Sequence, residues 1–86
     1  MSTFKKVWLH TGTNLGDRAL NLNRAAKAID KRIGKIIRRS KMYETEAWGV
    51  ENQPDYYNQA LILETNLSPF SLLDELHEIE KDLGRI

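Results

Sequence analysis

The stretch Tyr43–Thr65, YETEAWGVENQPDYYNQALILET, limits the fold most, because two strand-like segments flank an irregular polar centre. Its second segment, Tyr57–Thr65, is rich in Leu, Ile and Tyr, which suits a pleated and mostly buried surface. The segment that precedes the centre, Lys35–Thr45, alternates imperfectly and predicts an edge or half-exposed strand. The sequence therefore predicts a hairpin whose two strands are adjacent in a sheet.

The centre of this stretch, Glu46–Asp55, predicts a long loop, because it contains residues that interrupt strands and start turns: Gly49, Asn52, Pro54 and Asp55. Hairpins are most often closed by two residues, so a loop of this length that carries Trp48 indicates a binding role. The alternative is a surface loop that Trp48 anchors to the body of the protein.

A short strand and a glycine-bearing turn come before the hairpin. Val7–Thr11 predicts the strand, and Gly12–Asp17 leads directly into a helical pattern. A strand, a glycine loop and a helix start can offer free backbone N–H groups to an anion. The same pattern also fits a plain strand-to-helix connection, since it is neither GxGxxG nor a P-loop.

Two amphipathic helices are predicted. In the first, apolar residues recur at helical spacing: Leu22, Ala26, Ile29 and Ile33. Asp17 is its expected N-cap, and Gly34 stands where a left-handed C-terminal residue is wanted. The second begins with Ser68 as cap and Pro69 at the first helical position, and Gly84 ends it. Its apolar stripe is Leu73, Leu76, Ile79 (or Glu80) and Leu83.

The order strand, helix, strand, strand, helix predicts a single α+β domain over residues 1–86. We expect a ferredoxin-like β-α-β-β-α arrangement, with both helices on one face of a small mixed or antiparallel sheet and the first strand beside a hairpin strand. The final strand of such a unit is missing. The open edge that this leaves predicts that the chain self-associates or is only marginally stable.

Composition excludes several classes of function. A formal charge of +1 argues against bulk electrostatic binding to nucleic acid or to an anionic membrane, and no apolar run approaches membrane length. The absence of cysteine excludes disulfides and thiolate metal sites. Nothing at the N-terminus resembles a signal peptide, so the expected location is the cytoplasm.

Four motifs carry a family resemblance: GTNLGDR, YETEAWG, NQPDYYNQALILET and LSPFSLLDELHEIEKDLGR. With them in this order, the chain resembles 6-hydroxymethyl-7,8-dihydropterin pyrophosphokinase. The resemblance covers nearly all of this sequence but only about the N-terminal half of the family's domain. It implies transfer of pyrophosphate from ATP to the hydroxymethyl group of the pterin in folate synthesis.

The resemblance implies a pterin site in and beside the hairpin. Thr45 and Asn58 match residues that hydrogen-bond the pterin, and an amide offers both a donor and an acceptor to such a ring. Tyr56 matches the residue that stacks on the ring. The resemblance also assigns Ala47 and Trp48, in the loop between the hairpin strands, to the pterin site, and Ala47 replaces a proline that many members have.

The resemblance also implies an ATP site. Glu80, His77 and Arg85 match positions around ATP, and Arg85 is the candidate catalytic residue because a guanidinium can neutralise phosphate oxygens. Gly12, Thr13 and Asn14 match a loop beside the site. The family's Mg²⁺ ligands are expected beyond Ile86, with no metal ligand in this chain, so we expect little activity from the 86 residues alone.

Two other functions fit the residues without the resemblance. One is a small non-enzymatic α+β module that binds a ligand or a protein through the Trp48 loop or the open edge. The other is a ferredoxin-like nucleic-acid binder, which needs aromatic residues on a basic sheet face. The inner hairpin strand offers mainly Leu, Ile and Ala, which disfavours this second function.

Overall fold

The computed structural model describes residues 3–47 and 53–84, and these form four strands and two helices. In chain order they are β1 (Lys5–Thr13), α1 (Arg18–Arg32), β2 (Lys35–Arg39), β3 (Tyr43–Thr45), β4 (Tyr56–Thr65) and α2 (Pro69–Asp82). The first strand is two residues longer at each end than the predicted Val7–Thr11. Pairing with β4 along its whole length explains the difference, since apolar pattern alone does not report such pairing.

Strand β4 is the centre of the sheet. It pairs antiparallel with β1 on one side and with β2 and β3 on the other, so the strand order is β1-β4-β2. This confirms that the hairpin strands are adjacent and that the first strand lies beside one of them. Every pairing among the described residues is antiparallel.

The predicted strand Lys35–Thr45 is divided into β2 and β3. Its register against β4 shifts between Ile36 and Arg38, where two steps along β2 face one step along β4. A second extra residue lies between Arg39, which pairs with Leu61, and Tyr43, which pairs with Asn58. Each such bulge moves the following residues to the opposite face, so the single strand predicted over 35–45 is wrong and two short strands take its place.

The hydrophobic core lies between the sheet and both helices. It contains Ala26, Ile29 and Ile33 from α1 and its end, Leu61 and Leu63 from β4, and Ile79 from α2, all at most 5% exposed. These residues come from alternate positions of β4 and from one stripe of each helix, as a two-layer α+β fold requires. The predicted arrangement, two helices on one face of an antiparallel sheet in a ferredoxin-like fold, is confirmed.

The other face of the sheet carries Trp8 opposite Ile62, with Arg38 on the far side of Ile62. Trp8 is 78% exposed. Residues directly opposite one another in an antiparallel pair share a face, so this face also carries His10, Tyr43 and Asn58. The candidate residues Thr45, Tyr56 and Asn58 therefore lie at one end of the face that the two helices leave open.

The helix ends follow the sequence with one exception. Asp17 accepts a hydrogen bond from the Leu20 N–H and Ser68 accepts one from Ser71, which confirms both N-caps. Gly84 has a φ of 72°, as predicted for a C-terminal glycine. Gly34 is not left-handed, and the prediction for it is wrong. A Cβ on Gly34 would lie 2.1 Å from the Glu64 carbonyl oxygen, so close approach to β4 is what requires glycine there.

Arg32 of α1 forms ion pairs with α2 at the surface. Its guanidinium nitrogens lie 2.6 Å from the Asp82 carboxylate and 3.5 Å from the Glu75 carboxylate. The hydrogen bond with Asp82 raises the pKa of Arg32 above its ordinary value. Arginine is charged at physiological pH even without this shift, so the ion pairs of Arg32 persist over that range. Within residues 3–47 and 53–84, neither helix combines the length and apolar character that crossing a membrane would require.

Candidate functional site

Asn58 is the centre of a hydrogen-bond network at the start of β4. Its side-chain nitrogen donates to the Tyr43 carbonyl at 3.2 Å and to the Thr45 hydroxyl at 2.9 Å. Asn58 is only 6% exposed. Since a carbonyl oxygen only accepts, the contact with Tyr43 fixes the orientation of the amide. Both donors of Asn58 are thus used to hold it against β3.

This network leaves a defined pair of groups for a ligand. Asn58 keeps its amide oxygen as an acceptor, and the Thr45 hydroxyl, which accepts from Asn58, keeps its own hydrogen as a donor. The sequence motif assigns hydrogen bonds with the pterin to both Thr45 and Asn58, and it predicts a donor as well as an acceptor from the Asn58 amide. In the structure the two functions are divided between Asn58 and Thr45, which lie on adjacent strands.

Tyr56 and Tyr57 face opposite sides of the sheet. Tyr56 pairs with Thr45 and is 36% exposed, so its ring is accessible beside the Asn58 network. The ring of Tyr57 is covered by the Arg18 guanidinium, 4.2 Å from its centroid. Of the two, Tyr56 is the aromatic residue that can stack on a ligand held by Thr45 and Asn58.

Gly12 connects this network to the helix side of β1. It pairs with Asn58, and a Cβ on Gly12 would lie 2.8 Å from the Asn58 amide oxygen. The same residue lines a cavity of about 200 Å³ between β1 and the two helices, together with Thr11 and Glu80. Any larger residue at position 12 would collide with the Asn58 amide, which explains the glycine. The shared cavity also brings Gly12 and Glu80 near each other.

The loop between β1 and α1 is organised by its own side chains. Thr13 accepts a hydrogen bond from the Leu15 N–H at 3.2 Å, and Asp17 caps the helix. The N–H groups of Leu15 and Leu20 are therefore already used inside the loop and at the helix start, and they are not free to bind an anion. Thr13 also lines a second cavity, of about 190 Å³, which extends to Gly84 at the end of α2.

Asn14 joins this loop to the segment before β4. Its side-chain nitrogen donates to the Gln53 side chain at 3.1 Å and to the Pro54 carbonyl at 3.3 Å. Asn14 is 9% exposed. The predicted loop beside the site therefore contacts the chain that leads into Tyr56.

The remaining predicted residues are not all brought into the site. His77 is exposed on α2 and lines neither of these two cavities. Ala47 is half-buried at the end of the segment that follows β3. Trp48 and Arg85 lie outside the described residues.

Two residues near the network, Arg18 and His10, make contacts that sequence reasoning missed. Arg18 hydrogen-bonds Glu44 at 3.0 Å and the Asp55 carbonyl at 2.7 Å. On the open face, the His10 ring nitrogen lies 2.5 Å from the Tyr43 hydroxyl. The partners of Arg18 and His10 are remote in sequence, so no local pattern indicates them.

The acidic and imidazole groups of the described part do not form a metal-binding cluster. Within residues 3–47 and 53–84, no three His, Asp or Glu side chains are grouped so that they could hold a metal ion. Mg²⁺ prefers several oxygen ligands in octahedral geometry. The described residues therefore do not fit a magnesium site.

Comparison with known proteins decides the family. The profile described as 7,8-dihydro-6-hydroxymethylpterin-pyrophosphokinase matches residues 8–86. The chain belongs to this pyrophosphokinase family. The family expected from the four sequence motifs is thus confirmed.

Curated relatives of this family member agree with the assignment. A "2-amino-4-hydroxy-6-hydroxymethyldihydropteridine pyrophosphokinase" from Porphyromonas gingivalis is 38% identical over 79 residues, which are 92% of this chain and 54% of the relative. One of the same name from Aquifex aeolicus is 37% identical over 92% of this chain and 49% of the relative. The "Folate synthesis bifunctional protein, mitochondrial" of Pisum sativum is 40% identical over 94% of this chain and 16% of its own length. The chain spans about half the length of the pyrophosphokinases it matches.

Proposed function

We propose that Thr45, Tyr56 and Asn58 form the pterin-binding wall of an enzyme that transfers pyrophosphate from ATP to 6-hydroxymethyl-7,8-dihydropterin. Membership of the family supports the reaction class. The names of the relatives indicate the substrate and the pathway, which is folate synthesis. The proposed location is the cytoplasm.

The observation that carries the proposal is the Asn58–Thr45 hydrogen bond beside the accessible ring of Tyr56. A pterin has an amino group, a ring N–H and an oxo group along one edge. The Asn58 oxygen can accept from that edge and the Thr45 hydroxyl can donate to it, while Tyr56 offers a face for the ring. Hydrogen bonds on one edge and stacking on one face fix both the position and the tilt of a flat heterocycle.

The proposed reaction moves a diphosphate group intact. The hydroxymethyl oxygen of the pterin forms a bond to the β-phosphorus of ATP and loses its proton. The bond between the β-phosphorus and the oxygen that bridges it to the α-phosphorus breaks, and AMP leaves with that oxygen. Such transfers depend on positioning and on neutralising phosphate charge.

Other residues of this chain are proposed to act on the ATP side. Glu80 is proposed to contact the nucleotide, which is supported by its position in the cavity that Gly12 also lines. Roles for His77 and Arg85 near ATP rest on the sequence motif alone. Mg²⁺ is proposed to accompany ATP with ligands outside this chain, and the roles given to Thr45, Tyr56 and Asn58 do not depend on it.

The test is a titration of 6-hydroxymethyl-7,8-dihydropterin into this chain, followed by calorimetry, with Asn58→Ala as the decisive variant. Losing Asn58 removes the acceptor and releases Thr45 from its partner, so affinity should fall by about 1–3 kcal/mol. Tyr56→Ala should weaken binding by about 0.5–1.5 kcal/mol beyond lost buried area, and Tyr56→Phe should retain most of the affinity.

Tyr57→Phe is the matched control, because Tyr57 is the neighbouring tyrosine on the opposite face. It should bind the pterin as the unaltered chain does. The proposal is wrong if Asn58→Ala and Tyr56→Ala bind the pterin normally while Tyr57→Phe does not.

A further inference from the structure

We propose that Arg18 is a positioning residue that holds the pterin-binding wall in place from the helix side of the sheet. The inference rests on the proposed function of Thr45, Tyr56 and Asn58. Arg18 lies at the first position of α1, and its side chain is 26% exposed. It contacts three places on the helix side of the sheet, and each of them is next in sequence to a residue of the wall.

The first contact is with the backbone that leads into β4. The Arg18 guanidinium donates a hydrogen bond of 2.7 Å to the Asp55 carbonyl. That carbonyl belongs to the same planar peptide unit as the Tyr56 N–H. Because a hydrogen bond from a charged donor is stronger than a neutral one, Arg18 fixes the plane from which Tyr56 projects.

The second contact is with β3. Arg18 donates to the Glu44 carboxylate at 3.0 Å, and Glu44 lies between Tyr43 and Thr45. Those two residues supply both acceptors for Asn58. A strand of three residues has few ladder hydrogen bonds of its own, so this ion pair holds the part of the chain on which Asn58 depends.

The third contact is with Tyr57, which lies between Tyr56 and Asn58. The guanidinium carbon is 4.2 Å from the centre of its ring, a distance at which the cation and the ring attract each other. Side chains along a strand alternate between faces. Glu44 and Tyr57 therefore face Arg18. The residues of the wall, Thr45, Tyr56 and Asn58, face the opposite side of the sheet, which a ligand can reach.

Family membership and the relatives' names do not assign this function to Arg18. A salt bridge on a surface contributes little by itself. Here one side chain joins the start of α1 to both strands of the wall, so its effect is on the relative placement of β3 and β4. The predicted consequence is a loss of pterin affinity without a comparable loss of global stability.

The test compares Arg18→Met with Arg32→Met in the 86-residue chain. Arg32 is also in α1 and also pairs with carboxylates, but those lie on α2, away from the wall. Both substitutions remove one positive charge. Arg18→Met should weaken dihydropterin binding about tenfold, which corresponds to about 1.4 kcal/mol, whereas Arg32→Met should leave it within about twofold. Arg18→Lys, which keeps the charge, should restore part of the affinity.

Amide hydrogen exchange separates this inference from the proposed function, because it needs no ligand. In Arg18→Met, exchange should accelerate at Tyr43–Thr45 and Tyr56–Asn58 and stay unchanged at Leu61–Leu63. If the unaltered chain binds no dihydropterin, the proposed function fails, and the exchange pattern still decides the role of Arg18. Unchanged exchange at both segments, or equal acceleration along the whole of β4, overturns that role.

Discussion

The two ends of β4 are held by different interactions. The far end, Leu61–Thr65, lies against α1 and α2, where Leu61 and Leu63 are almost completely buried. The near end, Tyr56–Asn58, is held by hydrogen bonds and an ion pair from β3 and Arg18. Burial is strong and tolerant of small displacements, while hydrogen bonds are weaker and directional. The contrast predicts that stability and ligand affinity are controlled by different residues of one strand.

Leu63→Ala, at the far end of β4, should cause the largest change, which is a loss of stability. Leu63 has no exposed surface, so the substitution leaves a cavity in the core. We expect the free energy of unfolding to fall by about 2–5 kcal/mol. Urea denaturation measures this, and Asn58→Ala is the comparison. A larger stability loss in Asn58→Ala would show that the near end of β4, and not the far end, controls stability.

Gly34→Ala should have the next largest effect. The added Cβ would lie 2.1 Å from the Glu64 carbonyl oxygen and 2.8 Å from Thr65, and backbone cannot yield as a flexible side chain can. We expect a loss of about 1–3 kcal/mol or more in unfolding free energy. Gly84→Ala, where no atom lies within 4 Å, is the control, and it should cost less despite its positive φ. Equal losses in the two variants would show that steric contact with β4 is not what requires Gly34.

Gly12→Ala acts at the near end and should separate affinity from stability. Its Cβ would meet the Asn58 amide oxygen at 2.8 Å, and the amide can rotate away. Rotation breaks the bonds to Tyr43 and Thr45, so dihydropterin affinity should fall by about 1–3 kcal/mol. The thermal midpoint should change less than in Gly34→Ala. Normal pterin binding by this variant would mean that the position of Asn58 is not critical.

Thr45→Val should have the smallest effect. It keeps the shape of the side chain but removes the acceptor 2.9 Å from Asn58 and the donor that remains for the ligand. We expect about 0.5–1.5 kcal/mol of lost affinity, measured by the same titration. Thr45→Ser, which keeps the hydroxyl, should bind nearly as the unaltered chain does. If Val and Ser at this position behave alike, the hydroxyl has no role.

Much of the fold was predictable because its signals are local. Asp17, Ser68 and Gly84 act at helix ends within a few residues of themselves, and the apolar run of β4 is continuous in sequence. The function of Gly34 was not predictable, because it depends on how closely Glu64 approaches. The prediction of self-association through the open sheet edge stays a prediction.

The candidate site likewise contains residues that the sequence predicts and a residue that it does not. The motif identified Thr45, Tyr56 and Asn58, and the structure brings them onto adjacent strands, while their binding of a pterin stays a prediction. Arg18 was missed because its partners Glu44 and Asp55 are 26 and 37 residues away along the chain. Side-chain contacts at that separation are set by the folded sheet and not by any local pattern.

The two register shifts between Lys35 and Thr45 determine which side chains of β3 face the candidate site. Each extra residue exchanges the two faces of the strand, so the pair restores at Thr45 the alternation that holds at Lys35. Deleting Ile37, the first extra residue, would place Arg38 directly after Ile36 and leave the remaining pairs with β4 unchanged, so Glu44 would still face Arg18. Every residue of β3 is paired with β4, and a single residue inserted there would instead have no place in the ladder. This part of the chain should therefore accept the loss of an extra residue far better than a change of length within β3.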